Sequence, residues 1–366
     1  MAGRFYLRKF ADINLDDEFF DTLKADYPGN ANSTGFIEWF NKKANNGSTA
    51  LVFEDGIGIG AFVVIKEEQE CIELKSDVLP DFKRIKISTF RIAERYRRQR
   101  IGEGAIGLIL WKWQQSDCDE IYVTVFDKYR TLIAQFERFG FINIGKNRNG
   151  ENVLMKNRKK IDFSNVYGSF PFIKAGFDCA GYVIVEDQYH DTMFAYSELA
   201  NKMMLQTEIG SSVSNGLCKI YVGKAPQIKY KIGEPVLIYR KYTQGVGKRF
   251  KSCITSYCVI TDVIQAKSNN RFLMSFEELK QRIGNKSVFD EKELLRQYNE
   301  YHNFVVMEML YFGYFGAGNN VNMDWLDKNG CWTMQNQYPT DVRLSENQFK
   351  KILMEGNVNV SNVIVN

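Results

Sequence analysis

Histidine is almost missing from this chain of 366 residues: there are two, His190 and His302. A histidine-built metal site or a Ser-His-Asp triad would have to use one of them, and neither stands in a recognisable nucleophile motif. Both read as structural. Proline is scarce, at six residues, while aromatics reach 14%; that composition belongs to a folded protein rather than a disordered one. The seven cysteines, at 71, 118, 179, 218, 253, 258 and 331, are scattered and form no C-x-x-C pair. They are expected to be free thiols, mostly buried, with no metal bound. No apolar run approaches the roughly 20 residues that cross a membrane. The basic start MAGRFYLRKF lacks an apolar stretch and a cleavage site, so it reads as a first strand and not as a secretory signal. Together these absences point to a cytoplasmic protein without a membrane partner.

The length allows two domains with separate cores. A formal charge of +4 says little; its distribution says more. Between Lys83 and Arg100 stand Lys83, Arg84, Lys86, Arg91, Arg95, Arg97, Arg98 and Arg100 against the single acid Glu94. Such a run focuses anions toward itself, and a phosphate-bearing ligand is the economical explanation, a solvated basic face the bland one.

Along the chain, RFYLRKF suits a strand, and LDDEFFDTLKADYP repeats apolar residues at helical spacing before a Pro-Gly stop. Ser33 or Thr34 is placed to cap a helix through FIEWFNKKAN. TALVFED and IGAFVVIKEE read as a hairpin, CIELK extends the sheet, and RIKISTFRIA is a β-branched strand. IGEGAIGLILWKWQQS reads as a helix, IYVTVF as a buried strand, RTLIAQFERF as a helix closed by Gly140, and FINIG and NVLMK as two last strands. This order makes an α/β (α+β) unit, placed at 1–156. The polar stretch 157–165 reads as a linker. From 166 to 366, strand-like GYVIVE, CKIYVG, PVLIYRKY, SCITSYCVITDVI and NFVVMEMLYFGYF mix with helix-like YSELANKMM, SFEELKQRI, FDEKELLRQYNEY and SENQFKKILMEG. They suggest a β-barrel-like unit decorated by helices.

The informative stretch is FRIAERYRRQRIGEGAIGLIL. A strand ends near Ile92, a basic turn follows, and a helix opens near Ile101. A helix start leaves several N–H groups unpartnered at the positive end of the aligned dipoles, where a diphosphate is well received. Glycine lets it approach, and arginines at the rim add charge-assisted contacts. The arrangement resembles the GCN5-related N-acetyltransferase (GNAT) family, whose signature is Arg/Gln-x-x-Gly-x-Gly/Ala. Two registers are open. Gln99-Arg100-Ile101-Gly102-Glu103-Gly104 matches letter for letter. Arg97 to Gly102 puts Arg100 where the first glycine usually stands, but better preserves the apolar spacing after the loop and is preferred. Downstream, IYVTVF and KYRTLIAQFERFGFINIG look like the family's next strand, helix and Gly-Phe, here Gly140-Phe141. The resemblance covers roughly residues 4–156.

The resemblance implies a central mixed sheet, acetyl-CoA as co-substrate, no metal, and direct transfer of the acetyl group to an amine acceptor. The diphosphate would lie on Arg97, Arg98, Gln99, Arg100, Ile101, Gly102, Glu103 and Gly104. The pantetheine arm would run along the main chain of Phe90, Arg91 and Ile92 as an added strand. The position at which many members carry a proton-donating tyrosine is Phe136 here, and phenylalanine donates nothing. Tyr129 is the substitute, with Glu73 and Glu94 (and Asp77) as carboxylate candidates and Ser88 or Thr89 placed to hold a water.

In the second half, YRKYTQGVGKRFKS interleaves cations and aromatics, a pattern that meets phosphates and stacks on bases or simply keeps a hairpin soluble. KIGEPVLIYRKY, CITSYCVITDV and the closing RLSENQFKKIL look similar to the PUA-like superfamily, including its ASCH and EVE domains. That resemblance implies recognition of RNA or of a modified base, with Tyr239, Arg240, Lys241, Lys248, Arg249 and Lys251 as contact residues. Three readings stay open: an acetyltransferase whose acceptor is RNA, charged tRNA or an RNA-bound protein; one acting on a protein or small-molecule amine, with a dimerising second half; and a CoA-sensing nucleic-acid reader without turnover. The oligomeric state is not written in the residues.

Overall fold

Alternating and β-branched segments in the first 157 residues pair into one sheet, as their period demands. The computed structural model describes residues 4–29, 34–194, 196–197, 212–225, 229–332 and 341–366. The elements of the first half are β1 (Arg4–Lys9), α1 (Asp21–Asp26), α2 (Phe36–Asn45), β2 (Thr49–Glu54), β3 (Ile59–Glu73), β4 (Val78–Ile92), α3 (Ile101–Gln114), β5 (Glu120–Val125), α4 (Arg130–Arg138), β6 (Ile142–Lys146) and β7 (Asn152–Asn157). The strand order is β1-β2-β3-β4-β5-β7-β6. All neighbours are antiparallel except β4 and β5, which the α3 crossover joins in parallel. CIELK is the far end of β3 rather than a separate strand. Gly35 stands at the α2 N-cap with no side-chain cap, so Thr34 does not cap it, and Ser33 lies outside the described residues.

The second half adds α5 (Val166–Ser169), β8 (Ile173–Lys174), β9 (Gly181–Glu186), α6 (Asp187–Met193), α7 (Ser212–Asn215), β10 (Cys218–Gly223), β11 (Pro235–Lys241), α8 (Lys248–Lys251), β12 (Cys253–Ser268), β13 (Arg271–Phe272), α9 (Phe276–Ile283), α10 (Glu291–Glu300), β14 (Phe304–Tyr314), β15 (Val321–Asn322), α11 (Met323–Lys328), α12 (Glu346–Glu355), α13 (Val360–Val363) and β16 (Ile364–Val365). Its main sheet, β10-β14-β12-β11-β9, curls into a half-barrel. The helix expected at YSELANKMM falls mostly outside the described residues. Capping boxes at Ser275–Glu278 and Ser345–Gln348 start α9 and α12, satisfying two orphan donors at each start. The tail closes the fold by pairing β16 with β8.

Helix α3 explains how the halves meet. Eleven of its fourteen residues are buried, and a helix apolar on every side needs cover on every side. One flank packs Ile106 and Ile109 among Ile85, Ile87, Ile121 and Val123 of the first sheet. The other carries Gly104, Gly107 and Trp111. A Cβ on Gly104 would stand 2.1 Å from the Asn215 carbonyl oxygen, and one on Gly107 2.5 Å from the Leu217 side chain. Trp111 donates from Nε1 to the Phe312 carbonyl (2.7 Å) and packs edge-on against Tyr311. The two missing side chains let the second half dock against the helix backbone, and the apolar core is continuous across both halves. Lys156 ties the same seam. Its buried ammonium donates to the carbonyls of Phe139, Gly168 and Phe170, and burial pushes its pKa down to about 7.

All seven cysteines are free. His190 is buried between Asp191 (2.9 Å) and Thr255 (2.7 Å), and His302 contacts Asn269 (3.2 Å). Among the described residues, no helix is long and apolar enough to cross a membrane.

Candidate active site at a split between two parallel strands

The parallel pairing of β4 with β5 is short. It joins Arg84–Ile87 to Glu120–Val123, and then β4 runs on to Ile92 and β5 to Val125 with no further pairing between them among the described residues. The cause is local. Opposite Val64 and Ile65, the partners on β4 are Thr89 and Ile87, so Ser88 is an extra residue in the strand. A bulge of this kind bends and twists a strand. The far edge of β4 stays paired to β3 through Thr89, Phe90, Arg91 and Ile92, leaving their other edge directed into the split. The Ser88 hydroxyl is buried there without a protein partner among the described residues.

At the mouth of the split the chain turns into α3. Arg98 (φ 66°) and Arg100 (φ 61°) both sit in the left-handed region, which costs a non-glycine residue about 1–2 kcal/mol. These are the positions where the Arg97–Gly102 register sets a loop residue and the motif's first glycine. The first helical hydrogen bond is Gly104 N–H to the Arg100 carbonyl, so the amides just before it are the helix's orphan donors. Between the two left-handed arginines the Gln99 N–H donates back to the Tyr96 carbonyl (3.2 Å), so the amides left open at this corner, among the described residues, are those from Arg100 onward and that of Arg98. Main chain at the loop and a free strand edge in the split suit a diphosphate-bearing, amide-bearing ligand.

Several residues expected to touch that ligand are placed otherwise. Gly104 faces the Asn215 backbone, so the Gln99–Gly104 register does not put its last glycine at the open corner. The Arg100 guanidinium turns away from the loop into the second half, bonding Glu103 (2.9 Å) and the Cys218 carbonyl (2.7 Å). Burial works against its charge, but the Glu103 carboxylate outweighs that and raises its pKa. Glu103 also accepts from the Cys218 N–H (2.7 Å) and is not open to ligand. Ile101 is core. Arg97 and Arg98 remain exposed at the rim, Arg97 paired with Glu94. Gly102 has only the Gln135 side chain near it, 3.0 Å from an added Cβ.

The catalytic candidates separate cleanly. Glu73 pairs with Val78 at the hairpin end of β3 and β4, fourteen residues along β4 from Ile92, and its carboxylate bonds Arg148 (3.0 Å); it cannot reach the split. Glu94 points into solvent beside Arg97. Asp77 shares the Glu73 hairpin. Phe136 is fully buried, edge-on to Phe90 and Phe141. Tyr129 is half-buried and donates its hydroxyl to Asp26, which also pairs with Lys128. Burial and Asp26 push the phenol's pKa up, so it keeps its proton.

Three residues not singled out from the sequence complete this flank. Tyr27, just past α1, donates to Glu151 (2.8 Å), and Thr124, one residue beyond the last β4–β5 pair, reaches the same carboxylate (3.3 Å). Glu151 is 4% exposed, in the turn before β7, and is also bonded by Asn147 (2.8 Å). Burial and the neighbouring carboxylate push the Tyr27 phenol well above its ordinary range. Across the split, Arg91 is held by the Phe19 carbonyl (2.7 Å) and Thr22 (2.9 Å). Two buried carboxylates near the end of β5, Asp26 and Glu151, are therefore each bonded to a tyrosine hydroxyl, and Asp26 is paired with Lys128 as well.

The expected nucleic-acid residues divide too. Tyr239 is buried against Trp332. Arg240 is 2% exposed and paired with Asp191 (3.1 Å). Both fail as contacts because β11 is an inner strand, between β12 and β9. Arg249 is spanned by Asp324 (2.7 Å) and Asp327 (2.9 Å), which neutralise it. Lys241, Lys248 and Lys251 stay at or near the surface.

A mixed sheet opened by a bulge, with a turn and helix start at its mouth, is the frame of this candidate site. Residues 16–141 match the model of the acetyltransferase (GNAT) family, and that segment is a GNAT acetyltransferase domain. The protein is accordingly an acetyl-CoA-dependent N-acetyltransferase. No curated protein matches the sequence. Among solved structures, the chain is similar to ASCH from Zymomonas mobilis (10% identity over 48% of this chain and 94% of that one, TM-score 0.31). It is also similar to Arabidopsis thaliana Naa50 in complex with a bisubstrate analogue, CoA-Ac-MVNAL (17%, 42% and 98%, TM-score 0.29), and to an N-acetyltransferase from Staphylococcus aureus Mu50 (10%, 43% and 99%, TM-score 0.29).

Proposed function

We propose that this enzyme acetylates a cationic primary amine that enters the split from the α1 side. The observation that carries the reading is the separation of β4 from β5 beyond Ile87 and Val123, with the orphan amides of α3 at one end and Asp26 and Glu151 on one flank. The main-chain amides of Arg98 and Arg100–Glu103 hold the diphosphate, the Gln99 N–H being spent on the Tyr96 carbonyl, and the free edge of β4 from Ser88 to Ile92 holds the pantetheine amides. Once bound, acetyl-CoA supplies the thioester whose acetyl group passes to the amine nitrogen as the carbon–sulfur bond breaks. Glu151, which has no ion-pair partner among the described residues, attracts the ammonium form of the acceptor, while the charge of Asp26 is taken up by Lys128. Glu151, through the Tyr27 hydroxyl, takes the proton the nitrogen must lose, and Tyr129 holds the proton for the departing sulfur. Orientation within the split supplies much of the remaining rate. The acetyltransferase unit is placed at 1–156, and the second unit at 166–366 is read as PUA-like. A cytoplasmic location fits the free thiols.

The test is to supply full-length protein with acetyl-CoA and a panel of amines, following free thiol. Cationic primary amines should release CoA, and neutral or anionic amines should do so far less. Equal rates across the panel count against the acidic flank, and no CoA binding by well-folded protein counts against the site itself.

A second reading, in which the second half selects RNA, rests on one observation: Lys248, Lys251, Val246 and Phe250 cluster exposed between β11 and β12. RNA affinity falling about tenfold or more between low and physiological salt supports it; no measurable affinity removes it.

A further inference from the structure

Two side chains of the second half reach the loop at the mouth of the split, and both grip its carbonyl oxygens. Asn215, at the end of α7, donates from Nδ2 to the Gln99 carbonyl (3.1 Å). Asn285, after α9, donates from Nδ2 to the Arg98 carbonyl (2.7 Å). A peptide plane held by its oxygen has its N–H directed the opposite way, so the Asn215 bond sets the Arg100 amide, while the Asn285 bond fixes the plane whose Gln99 N–H donates back to the Tyr96 carbonyl (3.2 Å) and so holds the turn itself. The conformations they stabilise are the costly ones, since Arg98 and Arg100 occupy the left-handed region without being glycine. A third grip comes from Arg100 itself. Its side chain anchors on Glu103 and the Cys218 carbonyl, in space available only because residue 216 is glycine; a Cβ there would stand 2.1 Å from the guanidinium carbon. Beneath α7, the wholly buried Lys219 donates to the Val213 carbonyl (2.6 Å), holding the helix that carries Asn215.

We infer that the second half is part of the cofactor site, with Asn215 and Asn285 as positioning residues that preset the diphosphate-binding loop of the acetyltransferase half. This rests on the diphosphate lying at that loop. A loop with two arginines in the left-handed region, one of them at the motif's first glycine position, would relax toward commoner backbone angles if released. The external grip replaces the freedom that glycine would give, and it makes acetyl-CoA affinity depend on how the second half is docked.

The experiment uses the full chain as wild type, Asn215→Ala, Asn285→Ala and the double variant, with Asn329→Ala as a control in the same half. Calorimetry gives the dissociation constants for coenzyme A and for pantetheine, which lacks the diphosphate, and hydrogen exchange reads the loop amides. Each single variant should weaken coenzyme A about fivefold, the size of one net hydrogen bond. The double variant should weaken it by more than either. Pantetheine affinity and the control should be unchanged, and exchange at Gln99, whose N–H is bonded to the Tyr96 carbonyl, should quicken while the β4 core stays protected. Unchanged coenzyme A affinity in the double variant, or equal losses for coenzyme A and pantetheine, overturns the inference. Failure of the wild type to bind coenzyme A instead overturns the placement of the site.

Discussion

Gly104 and Asn215 lie in backbone contact: a Cβ on the glycine would fall 2.1 Å from the asparagine carbonyl oxygen, across the seam between the two halves. No rotamer change relieves that overlap. Gly104→Ala should therefore cost about 1–3 kcal/mol, the range for overpacking a filled core, and lower the melting temperature. Gly102 faces only the movable end of Gln135, so Gly102→Ala should leave the melting temperature nearly unchanged. Thermal denaturation of the two variants side by side decides it; equal effects would mean that the seam is looser than described.

Affinity should sort the glycines in the opposite way. Gly102→Asp places a carboxylate beside the amides proposed to receive the diphosphate and should weaken coenzyme A binding by tenfold or more, about 1.4 kcal/mol. Gly140→Asp should act on stability instead, because Gly140 has φ 81° and meets the Gly168 carbonyl. Calorimetric titration with coenzyme A distinguishes them.

Removing the proposed base isolates the proton step. Glu151→Gln keeps the shape of the side chain and should lower kcat about 100-fold, within the range for general base catalysis, with little change in the KM for acetyl-CoA. Tyr27→Phe should follow in the same direction, while Glu73→Gln and Glu94→Gln should retain wild-type rates. Steady-state kinetics on a responsive amine checks all four, and a full rate in Glu151→Gln removes it from the mechanism.

The buried Lys156 makes stability depend on pH. Its folded pKa, about 7, lies below the ordinary lysine value, so between about 7 and about 10 the unfolded chain holds the extra proton. Stability contributed through this group rises with pH across that window, by up to about 1.4 kcal/mol per pH unit. Denaturant titrations from pH 7 to pH 10 should show a shallower rise for Lys156→Met than for wild type. Parallel curves would show that the ammonium stays charged on its three carbonyls.

How far the sequence discloses this molecule depends on how local each feature is. The strand, basic turn and helix from Arg84 to Gln114 are legible because period, charge and helix start lie in one continuous stretch. The letters alone leave the register of the glycine motif open; what sets Gly104 apart from Gly102 is a backbone over a hundred residues downstream. Asp26, Tyr27 and Glu151 carry no local signature, since Tyr27 and Glu151 meet across 124 residues. Tyr239 and Arg240 mislead for a related reason. The alternation YRKY suits an exposed hairpin, but β9 covers the outer edge of β11 in parallel, and that pairing is invisible from either strand alone.

The most direct measurement is a crystal structure of the full-length protein with coenzyme A. It should show the diphosphate against the main-chain amides between Arg98 and Glu103, and the pantetheine arm beside Ser88–Ile92, with Asn215 and Asn285 still on their carbonyls. Density for the ligand elsewhere, or a loop sealed by side chains of the second half with no ligand in the split, would contradict the assignment.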